Sequence, residues 1–192
     1  MLSVPEREHT GDMRTTRVAT SLAALALVAG AAPPAGAEPP TTLTVQDPVE
    51  PGKAFDVVSV TITSAPAEGR KATIAIQHDR RVKVGDAIDA WVDTDADWVP
   101  DLFITGPSFS EYAVYETDSW TSEGDEITDQ GCASLKMDRR RSVLRVDPSC
   151  LAPSKRFSAS VRSYVMHKPA RTDDYVPAKH RFSKRVLSYL PQ

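Results

Sequence analysis

The sequence predicts an all-β fold, a sandwich of two antiparallel sheets of the jelly-roll or immunoglobulin-like kind. Nine short segments alternate apolar and polar side chains with the period of two that a half-buried strand requires. Turns rich in Gly, Pro and Asp separate them. No convincing long segment has the apolar period of an amphipathic helix. Short strands without long helices are typical of a sandwich, and a closed barrel is the alternative.

The first 37 residues have the features of an export signal. An apolar run from Val18 to Val28 is too short to span a bilayer comfortably. It is followed by the small-residue cleavage pattern Ala35-Gly36-Ala37. We therefore predict a signal peptide over residues 1–37, whose true start could be Met13, and a secreted, extracellular product without a membrane span.

The chain after the predicted cleavage site has the length of one domain. Removing 37 of 192 residues leaves 192 − 37 = 155, enough for a substantial core. Residues 38–53 carry four prolines around a short alternation at Leu43 and Val45. These residues are predicted to form an extended leader that can supply an edge strand, and residues 54–192 a single sandwich domain.

The predicted strands follow one another along the domain. Phe55–Thr63 alternates with Val58, Val60 and Ile62 on one face. Ala72–Gln77 alternates after a Pro- and Gly-containing turn, so the two segments predict a hairpin. Further predicted strands are Ile88–Val92, Leu102–Ile104, Tyr112–Glu116, Leu135–Met137, Val143–Val146 and Phe157–Val165. The tail from Asp173 to Leu190 fits either a short C-terminal helix or a strand, and both alternatives stay open.

Cys132 and Cys150 are the only cysteines. An exported chain passes through an oxidising compartment, so the sequence predicts a disulfide between them. Closing a loop of this length stabilises the fold by an amount on the order of 3 kcal/mol. No Cys-x-x-Cys motif is present, so a structural role is favoured over redox chemistry.

Charge is distributed unevenly along the predicted mature chain. Residues 38–138 contain 7 basic and 20 acidic side chains, a net charge of −13, whereas residues 139–192 contain 13 basic and 3 acidic side chains, a net charge of +10. One interpretation is that acidic strands pair with basic strands across the sheets. The other is that the basic half faces an anionic polymer at the cell surface.

The densest cluster of candidate site residues lies between Ile88 and Ile104. Two alternating apolar segments flank an acidic loop that resembles the calcium loops of dockerins and thrombospondin-type repeats. Its candidate metal ligands are Asp93, Asp95, Asp97 and Asp101. Trp98 replaces the glycine of such loops, and Ile104 stands where a bidentate glutamate belongs. A solvated acidic turn without an ion, and so without any cofactor, is the alternative interpretation.

Aromatic residues in and after this segment are candidate ligand contacts. Exposed rings flanked by carboxylates can hold sugars on a β-sandwich. The candidates are Trp91, Trp98, Tyr112 and Tyr115. The alternative is that these rings belong to the core or its rim. A glycan or a cell-wall polymer is the partner that this pattern favours, and nothing specific favours nucleic acid.

Catalytic patterns are not evident in the sequence, so no catalytic residue is assigned. His78, His167 and His180 lie in no metal-binding spacing. Ser108 lacks the second glycine of a nucleophile elbow. The favoured function is a non-enzymatic binding or envelope-associated module of unknown ligand. The alternatives are a secreted carbohydrate-active hydrolase, whose dispersed residues only folding would assemble, and a calcium-stabilised glycan-binding domain.

Several short motifs resemble a family of uncharacterised secreted proteins from high-GC Gram-positive, actinobacterial species. The resemblance runs from Phe55 to Leu190. Its motifs are Trp91-Val92-Asp93-Thr94, Pro100-Asp101, Gly131-Cys132, Cys150-Leu151 and Tyr175-Val176-Pro177-Ala178. The resemblance implies a disulfide-bonded secreted domain, and it supplies no catalytic residue.

Overall fold

The structure is a computed structural model that describes residues 39–121 and 123–191. These described residues belong to one compact unit. The signal-peptide prediction for residues 1–37 lies outside the described residues. None of the helices in the described part of the chain has the length and apolarity needed to cross a bilayer.

Two antiparallel sheets form the domain, which confirms the predicted sandwich. The first sheet has the order β1-β2-β3-β8-β7. Its strands are β1 Thr42–Gln46, β2 Val57–Thr63, β3 Ala72–His78, β7 Ala133–Asp138 and β8 Arg141–Val146. The second sheet has the order β10-β9-β4-β5-β6, and β11 pairs with β9. Its strands are β4 Asp86–Asp93, β5 Leu102–Pro107, β6 Ala113–Glu116, β9 Arg156–Val165, β10 Asp174–Val176 and β11 Val186–Leu187.

The core lies between the two sheets, where alternate residues of each strand meet. Ile62, Ile74 and Leu144 project from the first sheet, and Ile88 and Ile104 project from the second. All five side chains are fully buried. Burying a side chain of this size stabilises the fold by roughly 1.5–3 kcal/mol, so the period of two in the sequence is the main determinant of the sandwich.

The segments at the two ends of the domain form short strands. Within the predicted leader, β1 pairs with β2 and forms the edge of the first sheet. The tail whose structure the sequence left open contains β10, β11 and turns. Two 3₁₀ turns, Thr128–Gln130 and Ala170–Thr172, are the helical elements of the described residues.

Cys132 and Cys150 are joined in a disulfide, as the sequence predicts. Their Cα atoms are 5.5 Å apart, a normal separation for this bond. Cys132 lies directly before β7, and Cys150 lies in the loop after β8. The bond therefore fastens the open end of the β7–β8 hairpin, which forms the second edge of the first sheet.

Strand β4 is buried along its whole length, with no exposed residue. Its core-facing side chains are Ile88, Ala90 and Val92. Asp89 and Trp91, which lie between these residues, project from the outer face of the second sheet. In a simple sandwich this outer face would contact solvent. Other parts of the chain cover this outer face, and the candidate site lies there.

Candidate functional site

A row of aromatic rings crosses the outer face of the second sheet. Trp91, Phe103 and Tyr115 occupy opposed positions on β4, β5 and β6. Their ring centroids are 5.2 Å apart for the first pair and 6.2 Å for the second. Opposed positions on neighbouring antiparallel strands bring side chains into contact, so strand register alone builds this row.

Trp120 covers one end of the row. It lies in the loop after β6, and its ring centroid is 5.7 Å from that of Trp91. On its other side it packs against Phe182 at 4.6 Å and stacks on His180 at 5.3 Å. The C-terminal segment that carries these two residues is held at the edge of β9 by the bond from Ser183 N–H to the Ala159 carbonyl. Trp120 therefore stands between the sheet surface and the C-terminal segment.

A buried ion pair lies beside the aromatic row. Asp89 on β4 is opposite Arg162 on β9, and their closest side-chain atoms are 2.5 Å apart. The hydroxyl of Thr105 donates to Asp89 at 2.6 Å, and the Arg162 guanidinium lies 4.3 Å from the ring centroid of Tyr164. Burial raises the pKa of Asp89, whereas the Arg162 charge and the Thr105 hydrogen bond act in the opposite direction.

These groups line a cleft of about 280 Å³. Its lining residues are Asp89, Trp91, Phe103, Trp120, Thr121, Glu123 and Arg162. The cleft combines apolar ring faces with two carboxylates and one guanidinium, which is the composition of a site for a polar ligand that also has apolar faces. Arg162 Nε is buried and has no hydrogen-bond partner among the described residues.

A second depression, also of about 280 Å³, lies on the other side of Trp120. Its lining residues are Trp98, Trp120, His180, Arg181 and Phe182. The indole of Trp98 is 52 % exposed, and the guanidinium of Arg185 lies 3.9 Å from its ring centroid. This depression is therefore aromatic and basic, in contrast to the cleft.

The acidic loop brings three of its four predicted metal ligands together. Carboxylate oxygens of Asp93, Asp95 and Asp101 lie within 4.8 Å of one another, so these residues could hold a metal ion. Asp97 is not part of this group. Burial raises the pKa of Asp93. Burial and the neighbouring Asp101 charge raise the pKa of Asp95, and a cation would relieve this repulsion.

Carboxylate oxygens of the loop that could bind an ion already accept hydrogen bonds from the loop itself. Asp93 accepts from the N–H groups of Ala96 at 2.7 Å and Trp98 at 3.3 Å. Asp101 accepts from the N–H and hydroxyl of Thr94 at 2.5 and 2.7 Å. Calcium needs six to eight oxygen ligands, so this arrangement favours an acidic turn that is stable without an ion.

The loop makes its tight turn without the glycine of a typical calcium loop. Ala96 and Trp98 have φ angles of 71° and 74°, in the left-handed region. Such angles are uncommon for residues with a side chain. Arg185 donates to the Ala96 carbonyl and covers the Trp98 ring. A cation from the C-terminal segment therefore holds the loop from outside.

The four aromatic residues predicted as ligand contacts lie in different places. Trp91 lines the cleft, and Trp98 lines the second depression. Tyr115 ends the aromatic row on β6, whereas Tyr112 is partly buried against the hydrophobic core. The predicted set therefore contributes one residue to each cavity beside Trp120.

Trp120, Arg162 and Phe182 also line the cavities but are not among the four predicted aromatic contacts. Trp120 follows those aromatic residues closely in the sequence, at the start of an acidic, turn-rich segment. Arg162 occupies a polar position of a predicted strand. Its partner Asp89 is brought opposite it only by the pairing of β4 with β9, which local sequence does not indicate. The feature of the sequence that points to the site is the polar face of β4, which carries both Asp89 and Trp91.

The only histidine–serine contact between side chains in the described residues is buried. His78 Nε2 lies 2.8 Å from Ser142 Oγ, and both residues have zero exposure. The ring of His78 stacks on Phe55 at 4.0 Å. Ser108 donates its hydroxyl to the Lys83 carbonyl at 2.6 Å. No substrate atom can reach the His78–Ser142 pair in this structure, so the pair serves the core.

No known protein family matches the chain when its sequence is compared with family models. No curated protein matches it in a sequence search. The resemblance to secreted actinobacterial proteins therefore stays a prediction.

Proposed function

We propose that the chain is a secreted, non-enzymatic β-sandwich module that binds a glycan in the cleft between the second sheet and Trp120. The observation that carries this proposal is the placing of aromatic ring faces directly beside the Asp89–Arg162 pair. A sugar has apolar C–H faces and polar hydroxyl edges, so it needs both kinds of surface at once. Export and the structural disulfide suit a protein that acts at or beyond the cell envelope.

The cleft residues have distinct roles in this proposal. Trp120 supplies the apolar face for the C–H groups of a sugar ring, and Trp91, which is 7 % exposed, packs against Trp120 and supports it. Glu123 accepts hydrogen bonds from hydroxyl groups, and Arg162 donates them. Asp89 orients Arg162 through their 2.5 Å contact. Ligand pockets begin at roughly 300 Å³, so a cleft of about 280 Å³ fits a single sugar unit of a longer chain.

Replacing Trp120 with alanine is expected to weaken glycan binding about 10- to 100-fold, since buried aromatic anchors dominate such sites. The measurement is calorimetric titration, supported by tryptophan fluorescence, with soluble hexasaccharides of glucose, N-acetylglucosamine and galacturonate as probes. Phe109→Ala is the matched control, because Phe109 is an exposed aromatic residue, 72 % accessible, that does not line the cleft.

Two results would contradict glycan binding at this cleft. One is the absence of saturable binding to all three hexasaccharides by the folded wild-type chain. The other is equal affinity of the wild type and Trp120→Ala. Melting temperatures of both variants show whether any loss of binding reflects unfolding.

Calcium stabilisation of the glycan-binding module is the second proposal, favoured by the grouping of Asp93, Asp95 and Asp101. The internal hydrogen bonds of the loop occupy carboxylate oxygens and so limit how strongly Ca²⁺ can stabilise the fold. We expect millimolar Ca²⁺ to raise the melting temperature by no more than about 2 °C, which corresponds to a dissociation constant near or above 1 mM. Differential scanning calorimetry with and without Ca²⁺ measures this shift.

Two variants determine whether a shift comes from the loop. Asp95→Ala should abolish whatever calcium shift the wild type shows, whereas Asp129→Ala, an exposed acid outside the loop, should leave it unchanged. A shift of about 10 °C that Asp95→Ala abolishes would show that the loop is a strong calcium site and that the hydrogen-bonded turn is not its preferred state.

A further inference from the structure

Trp120 separates two cavities but is a wall of both. Its ring contacts Trp91 on the side of the cleft, and Phe182 and His180 on the side of the second depression. Both cavities are about 280 Å³, and Trp120 is the lining residue that they share. An extended ligand lying across Trp120 would therefore contact both cavities.

The two cavities have opposite electrostatic character. The cleft contains Asp89, Glu123 and Arg162, and Glu123 also lines an adjoining acidic depression of about 540 Å³. The other carboxylates of that depression are Asp101, Glu116, Asp118 and Asp125. Carboxylates therefore outnumber basic side chains in and beside the cleft.

Basic side chains lie around the second depression. His180 and Arg181 line the second depression, and Arg185 lies against Trp98 at its wall. The turn that presents His180 and Arg181 is closed by the bond from Arg181 N–H to the Ala178 carbonyl. The Arg181 side chain is exposed, so its guanidinium is available to a bound molecule.

We propose that the ligand is an acidic oligosaccharide that lies across Trp120 in one fixed direction. An uncharged sugar unit occupies the cleft, and a unit with a carboxylate or another anionic group occupies the second depression next to Arg181. The carboxylates of Asp89 and Glu123 in the cleft disfavour the reverse orientation, because it would place the anion beside them. This inference rests on the proposed glycan binding and adds the charge and the direction of the ligand.

Guanidinium groups suit this role for a physical reason. Arg presents a planar set of donors that matches a carboxylate. At an exposed position the attraction is screened by salt over about 10 Å at 0.1 M ionic strength. Binding of the anionic unit should therefore weaken as salt increases, whereas contacts of the sugar rings with Trp120 should not.

The test compares aldotriouronic acid, a xylobiose that carries one terminal glucuronate, with its methyl ester, which has the same rings without the charge. By calorimetric titration in 20 mM salt, the wild type should bind the free acid about tenfold more tightly than the ester. Arg181→Gln should remove most of this preference while keeping its affinity for the ester. Arg145→Gln is the control, because Arg145 is an exposed arginine on β8 of the first sheet and should keep the full preference.

Different results of this titration would contradict the acidic-ligand inference alone or glycan binding as well. Equal affinity for acid and ester, or binding of a neutral hexasaccharide without binding of aldotriouronic acid, overturns the acidic-ligand inference and leaves glycan binding in place. A tenfold preference that persists in Arg181→Gln overturns the assigned position of the anion. Absence of binding to every saccharide overturns the proposed function as well.

Discussion

Asp89→Ala is expected to lower the free energy of unfolding by about 3 kcal/mol, the lower end of the cost of breaking a buried ion pair. The carboxylate is nearly inaccessible, with 3 % side-chain exposure, whereas its partner Arg162 has 28 %. Removing Asp89 leaves the guanidinium partly desolvated without its counter-charge. It also leaves the Thr105 hydroxyl without its acceptor. Partial access of water to Arg162 keeps the cost at the lower end. Urea denaturation at pH 7 measures the change.

A double variant separates the cost of an unpaired charge from the cost of lost packing. Asp89→Leu together with Arg162→Met removes both charges and retains apolar volume, and it should be more stable than Asp89→Ala. Asp97→Ala removes an exposed carboxylate of the neighbouring loop and should change stability by less than about 0.5 kcal/mol. A decrease of less than about 1 kcal/mol in the free energy of unfolding of Asp89→Ala would show that the Asp89–Arg162 pair is solvated and does not stabilise the cleft.

The part of the fold that the sequence predicts depends on side-chain alternation. The predicted strands that became β3, β4 and β9 have clear alternation and pair in extended ladders. Alternation is informative because burying the apolar face of a sheet makes the largest favourable contribution to the free energy of folding. Strands β10 and β11 are three and two residues long, too short for a period to be detected. Pairing with β9 forms them, so local sequence could not predict them.

One strand face was assigned differently from what the structure shows. The sequence places Val58, Val60 and Ile62 on one face, but Val57 is fully buried and Val58 is only partly buried. The pairing of β2 with β3 shifts register between Val57 and Ser59. Such a bulge transfers the following side chains to the other face. A regular alternation has no local signal for the position of a bulge.

The candidate site was only partly predictable for a similar reason. The alternation of Asp89 and Trp91 on the polar face of β4 was visible in the sequence, and it led to Trp91 as a candidate contact. The partners Arg162 and Trp120 reach the site through strand pairing and through a loop that crosses the sheet. Long-range register decides which side chains are neighbours, and no single segment encodes it.

The charge asymmetry of the sequence has two structural outcomes. Asp89 and Arg162 form a directly opposed pair across β4 and β9, as the pairing interpretation expects. Arg181 and Lys184 in the C-terminal segment instead remain exposed, and no ion pair of either is found among the described residues. Paired charges support the sheet, and the exposed basic residues supply the potential on which the acidic-ligand inference rests.

Acid is expected to destabilise the domain through His78, which is fully buried in the first sheet. Burial lowers its pKa from the ordinary value of 6.5 to about 4. Between these values the unfolded chain binds a proton that the folded chain does not, so stability falls as pH drops from 6.5 towards 4. At about 1.4 kcal/mol for each unit of pKa difference, the loss between pH 7 and pH 4.5 is about 2–3 kcal/mol.

Asp47 acts in the opposite direction over part of the same range. Burial, followed by the charge of Asp174, raises its pKa from 3.8 to about 6. The folded chain therefore binds this proton first, and the cost of the ionised carboxylate disappears as pH falls through 6. Its carboxylate is partly exposed, so solvent screening reduces the effect. The pH dependence of the wild type is the sum of these opposing contributions, and a His78 variant is needed to separate them.

His78→Gln isolates the histidine contribution. Glutamine keeps a polar group that can reach the Ser142 hydroxyl, although it loses the stacking on Phe55. The variant should be less stable than the wild type at pH 7, and the gap should narrow by about 2–3 kcal/mol at pH 4.5. Urea denaturation at the two pH values gives the four free energies of unfolding required. A gap that stays constant between them would show that His78 becomes protonated equally in the folded and unfolded chains, and that its burial does not make the fold sensitive to acid.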